Sequence, residues 1–167
     1  MGRKFNTARV PNGEAPNVLA IVPTAAQTFL RGALVKQTAA GTISERAAVG
    51  DKVTGVALQD AFSGYGADAA NSPTIITGSP SKSAGSVSVA IADKVTIFSC
   101  RGVNGGTDPA IPVQANIGVS YGVLKTGGGD WVLDLANVVN LVCQVVDIDA
   151  QNNIFFVKVN DAFRDYV

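Results

Sequence analysis

The chain has 167 residues, 47% of them hydrophobic and 16% charged, with 13 basic residues balanced by 13 acidic ones. That length suits one domain with a sizeable core, and the charge balance gives no global field to draw in nucleic acid or an anionic membrane. There is no histidine, which removes the commonest general base and metal ligand, and no apolar run approaches the roughly 18 residues of a membrane-spanning helix.

Charge is scarcer than the roughly 25% of an average soluble domain. A surface so poor in charge is expected to be covered by copies of the chain or by a larger body. With 18 glycines and many Val, Ile and Thr residues, the composition favours strands and turns.

The opening MGRKFNTARV holds the one basic cluster, Arg3, Lys4 and Arg9, and no signal-type apolar core follows it. Next comes VPNGEAPNVLAIVPTA (10–25). Pro11, Pro16 and Pro23 exclude a long helix, because proline lacks the backbone donor and constrains the residue before it. The run Val18-Leu19-Ala20-Ile21-Val22 is therefore extended and sticky. Residues 1–26 are expected to form an extended arm outside the core of a single β-barrel domain spanning 27–167. Deleting them is expected to leave a folded protein.

Short strand signals then alternate with turns. TFLRGALVKQ (28–37) and TISE (42–45) flank AAG, and DKVTGVALQDA (51–61) follows. Residues 62–85 form a Gly-, Ser- and Ala-rich insert around PTIITG. In SVSVAIADKVTIFSC (86–100), Val87, Val89, Ile91, Val95 and Ile97 share one parity, and Asp93-Lys94 marks a turn or bulge. RGVNGGTDPAIP (101–112) reads as loop throughout. TGGG (126–129) and AQN (150–152) each separate two strand-like runs, as hairpin turns do. No stretch keeps a 3.6-residue apolar period. The expected fold is all-β, a small antiparallel barrel or sandwich.

Two runs are apolar on both faces. Val139, Leu141, Cys143 and Val145 oppose Val138, Val142, Val146 and Ile148, and Ile154 and Phe156 oppose Phe155, Val157 and Val159. An antiparallel sheet with one wet face does not need this. Val138, Val142, Val146, Ile148, Ile154 and Phe156 are therefore expected at a contact between subunits, with roughly 2,000 Å² or more covered in an obligate assembly.

Candidate chemistry is weak. Two isolated cysteines, Cys100 and Cys143, cannot make a zinc site and are expected to be reduced and buried. The glycine-rich VNGGTDP and TGGGD precede no helix, so no phosphate cradle is expected. Asp147 and Asp149, beside Asn152 and Asn153, have oxygen ligands that calcium could use, but capping of a hairpin turn is the expected role. Asp130 and Asp134 straddle Trp131 like a glycosidase pair, yet alternation along a strand's wet face explains them better. No catalytic residue, cofactor or metal is expected.

FLRGALVKQTAAGTISERAAVGDKVTGVALQDA (29–61) resembles the capsid decoration, or cement, proteins of tailed bacteriophages, whose pattern G-x-L-V, turn, G-V-A-L-x-D-A is matched by Gly32, Leu34, Val35, Gly55, Val56, Ala57, Leu58, Asp60 and Ala61. Residues 115–135 and 145–163 are similar to the family's closing strands, and the insert at 65–85 departs from it. The resemblance implies a homotrimer on the outer surface of the virion, bound to the major capsid protein and assembled in the host cytoplasm. It implies no enzyme activity and no direct role with nucleic acid or membrane. The N-terminal arm, with Arg3, Lys4, Arg9, Pro11, Pro16, Val18, Leu19, Ile21, Val22 and Pro23, would then grip the capsid. A virion fibre or adhesin-type module that engages a receptor or glycan through loops 62–85 and 101–112 is the alternative.

Overall fold

Thirteen short strands carry the architecture of the computed structural model, which describes residues 5–9, 15–24, 27, 29–48, 50–61, 86–106 and 108–165. Arg3, Lys4, Pro11 and the insert at 62–85 lie outside the described residues, and Arg9 is described by its backbone alone. The strands are β1 (Asn6–Arg9), β2 (Val18–Ile21), β3 (Leu34–Gln37), β4 (Ile43–Glu45), β5 (Gly55–Ala57), β6 (Val87–Ile91), β7 (Ile97–Cys100), β8 (Gly102–Val103), β9 (Pro109–Ala110), β10 (Ser120–Lys125), β11 (Trp131–Asp134), β12 (Cys143–Asp149) and β13 (Ile154–Val159). They form an eight-stranded sheet, β1-β7-β13-β12-β10-β11-β8-β9, and a five-stranded sheet, β2-β6-β5-β3-β4. Every pairing is antiparallel except β8 with β11. The all-β expectation holds, and neither sheet closes into a barrel. Among the described residues helical structure is confined to two 3-10 turns, Gln114–Asn116 and Asp161–Phe163.

The local hairpins form where turn residues separate a pair of strand-like runs. β3 and β4 pair around the turn closed by Thr38 N–H on Thr42 O. β10 and β11 pair around TGGG, with Gly129 at φ 86°. β12 and β13 pair around 150–153, where Asn153 takes φ 54°, a conformation that asparagine tolerates better than most side chains. Asp93 makes a turn by accepting from the N–H groups of Val95 and Thr96, but β6 and β7 on either side of it belong to different sheets. The stretch 101–112 departs from the loop expectation, since β8 and β9 form a two-residue ladder there.

The described parts of the N-terminal segment, residues 5–9 and 15–24, are mostly extended, but they are not an arm outside the core. Phe5 is fully buried in the hydrophobic core, β1 pairs with β7, and β2 pairs with β6 along its whole length. Ile21 pairs with Val87 of β6; one residue later Val22 O accepts from Ile43 N of β4, and Thr24 N donates to Ile43 O at 2.7 Å. Pro23 bridges Ile43. β6 and β4 sit towards opposite ends of the five-stranded sheet, and consecutive Cα atoms are only about 3.8 Å apart. The sheet must therefore curl until its ends nearly meet, with residues 18–24 as the staple. Leu19 and Ile21 pack against the core from inside this curl, whereas Val18 and Val22 stay exposed. The expected boundary at residue 26 has no counterpart in the pairing.

One core serves both sheets. Leu34, Val35, Val56, Val89 and Ile91 come from the five-stranded sheet, and Phe98, Leu133, Val145, Phe155 and Val157 from the eight-stranded one. The C-terminal strap reinforces the join. Val53 N donates to Phe163 O, Asp165 N donates to Val53 O, and buried Arg164 pairs with Asp161.

The expected strand over 138–148 is corrected in two respects. Residues 137–142 are a crossing that carries the chain from β11 over β10 to β12. Val138 lies exposed in that crossing, and Val142 is fully buried in the core, so neither belongs to an outward strand face. A bulge between Val145 and Asp147 then shifts the register. It lets Ile148 pack partly against the core, so some of the two-faced pattern comes from one extra residue. Val146 and Phe156 remain half-buried, and Ile154 is 9% exposed.

Candidate functional site

Two features of the surface are candidates. The first is a cleft of about 430 Å³ lined by Gln27, Glu45, Arg46, Ala47, Lys125 and Trp131. β4 brings Glu45 from the curled sheet, and the β10–β11 hairpin brings Lys125 and Trp131, which oppose one another across it. Trp131 Nε1 donates to Glu45 Oε1 at 2.9 Å, and Lys125 Nζ donates to Glu45 Oε2 at 2.7 Å. Glu45 N donates to Gln27 Oε1 at 3.0 Å. Arg46 is 3% exposed, lies 5.8 Å from the centroid of the Trp131 ring, and donates from Nε to Asp51 O. Burial pulls its guanidinium below the ordinary arginine value. Asp51 takes the ammonium of Lys36 at 2.8 Å and the N–H groups of Ala47 and Ala48, and these partners, Lys36 first, hold its carboxyl at about 2.

The sequence gives no local signal for this cluster, because Glu45 and Trp131 are 86 residues apart. The lone tryptophan and the Glu45-Arg46 pair are ordinary features until the sheets meet.

The second feature is apolar and uncharged. Ile111 is 68% exposed, Val138 65% and Val139 83%, and Val113, Val119 and Leu141 are exposed as well. Both segments feed the paired strands β10 and β12. Val119 O accepts from Val145 N, and Asn137 O accepts from Gly122 N. Gly122 is required at that crossing, since a Cβ there would lie 2.4 Å from Asn137 Cγ.

The acidic candidates serve the backbone. Asp149 accepts from Asn152 N and Asn152 Nδ2, which is the expected turn role, and Asp147 Oδ1 accepts from Ile148 N. Asp134 Oδ1 accepts from Gly105 N and Ala136 N, while Asp130 closes the TGGG turn through its backbone. No group of three or more His, Cys, Asp or Glu residues is placed to hold a metal among the described residues. Cys100 and Cys143 are free and buried, as expected. Burial pushes the Cys143 thiol up to about 12 and raises Cys100 well above its ordinary value. Neither thiol is therefore a nucleophile at neutral pH.

The residues matched to the decoration-protein pattern have plain structural duties. Gly32 turns the chain at φ 87° into β3. Gly55 lies so close to β6 that a Cβ would fall 2.1 Å from Ala90 O. Asp60 Oδ1 accepts from Arg31 N at 2.6 Å, and Ala61 N donates to Phe29 O. Among the expected arm residues, Pro16 is half-buried before β2, and Leu19, Ile21 and Pro23 are partly buried in the staple. No protein-family model matches the chain, and no curated protein is similar to it in sequence.

Proposed function

We propose that this chain is a head decoration protein of a tailed bacteriophage. It binds the outer capsid surface as a homotrimer and ties neighbouring copies of the major capsid protein together against the pressure of packed DNA. The resemblance of residues 29–61 suggests the role, and the uncharged apolar surface carries it. Residues 111–119 and 136–146 contain no charged side chain, yet Ile111, Val138 and Val139 are mostly exposed. Large exposed apolar side chains in segments without charge are surface suited to an interaction site, and each Å² removed from water contributes about 25 cal/mol. Three such surfaces on one body engage a shell with avidity beyond any single contact. The segment expected to grip the capsid contributes Val18 and Val22, the large exposed side chains of the staple.

The test uses Val138→Asp with Val139→Asp. Both positions are exposed, so the fold should persist, while trimer mass in light scattering or saturable co-sedimentation with heads is lost. A doubly substituted chain that still trimerises and saturates heads would count against this assignment.

A further inference from the structure

We propose that the cleft between Glu45 and the β10–β11 hairpin is a binding site for a carboxylate. Both oxygens of Glu45 are already engaged, Oε1 by Trp131 and Oε2 by Lys125, so the cleft offers little to a cation. Its spare capacity lies in donors. A backbone N–H can only donate, so the bond from Glu45 N fixes the Gln27 carboxamide with Oε1 towards β4 and its NH2 group turned away. That NH2 group has no partner among the described residues. Lys125 spends one bond on Glu45 and keeps a side chain 43% exposed, and an ammonium carries three donors. Arg46, stacked on Trp131, adds a fixed buried positive charge.

The lining thus combines the spare donors of Gln27 and Lys125 with the apolar contact of Ala47. Asp51 nearby is neutralised by Lys36. An apolar ligand would strip water from Lys125 without replacing it. A carboxylate satisfies both free donor groups at once through charge-assisted bonds. It can come from a free organic acid or from an Asp or Glu side chain of a docked protein. The site stands apart from the decoration assignment, and failure to bind heads leaves it untouched.

The test is a titration followed by NMR of the Trp131 indole N–H and the Gln27 side-chain NH2. The probes are acetate, acetamide, and a short neutral peptide carrying one glutamate, all at constant ionic strength. Saturable shifts with acetate and the peptide identify a site open to free acids. Saturation with the peptide alone identifies a docked side chain. Acetamide should give none. Lys125→Gln should weaken binding at least tenfold. Gln27→Glu keeps the acceptor for Glu45 N while adding negative charge, and should abolish binding in a chain whose spectrum stays dispersed. Absence of saturation with both carboxylate probes, or unchanged affinity in the two variants, would overturn the proposal.

Discussion

The Glu45 side chain joins the two sheets through two partners, Trp131 and Lys125, and its removal has a definite cost. Glu45→Ala leaves the indole N–H of Trp131, a residue 4% exposed, without its acceptor. A buried donor left unpaired costs about 1–3 kcal/mol, and the urea midpoint should fall accordingly with an unchanged slope. Gly55→Ala should cost about as much, roughly 1–3 kcal/mol, because overpacking forces the backbone apart; the obstructing atom is the carbonyl oxygen of Ala90. Cys143 links stability to pH. Its thiol titrates at about 12 in the fold against an ordinary 9.0, so the folded value is raised. The stabilisation it contributes is complete below pH 9 and is lost as pH rises from 9 towards 12. The stability difference between the native chain and Cys143→Ala should be flat below pH 9 and shrink above it. A difference that stays constant to pH 11 would show that this thiol ionises in the fold as it does in water.

At the scale of elements, legibility follows locality. The hairpins at 126–129 and 150–153 are readable because turn residues and flanking alternation lie within a dozen positions. The two-faced run at 138–148 misleads. Its first half is a crossing and its second half contains a bulge at Val146, and neither leaves a mark in residue parity. The N-terminal segment shows the same limit. Its prolines announce extended backbone, but nothing local tells that Val18–Ile21 pairs with β6 and that Val22 and Thr24 bond to β4. That staple reverses the expectation for truncation. Deleting residues 1–26 removes Phe5 from the core and strips away Leu19 and Ile21, which pack against it from the curl. Losing one large buried side chain alone costs about 3–5 kcal/mol, a large share of the roughly 5–15 kcal/mol that holds a domain. The truncated chain should lose cooperative thermal unfolding. If it melts within a few degrees of the full chain, the staple is dispensable.

The whole molecule combines a well-packed interior with a surface short of charge, and this contrast underlies the assignment to a shell-binding role. Asp134, Asp147 and Asp149 accept from backbone N–H groups and Glu45 sits in the joint between sheets, whereas the side chains of Ile111, Val138 and Val139 lie mostly in solvent. Self-association should follow, with a solution mass three times that of the 17.1 kDa chain at micromolar concentration. The central claim is tested most directly by quantitative mass spectrometry of purified phage particles, counting this chain against the major capsid protein. A decoration protein is present in a fixed, high ratio to capsid subunits, in multiples of three per local threefold position. A handful of copies per particle, as for a fibre, or none, would contradict it.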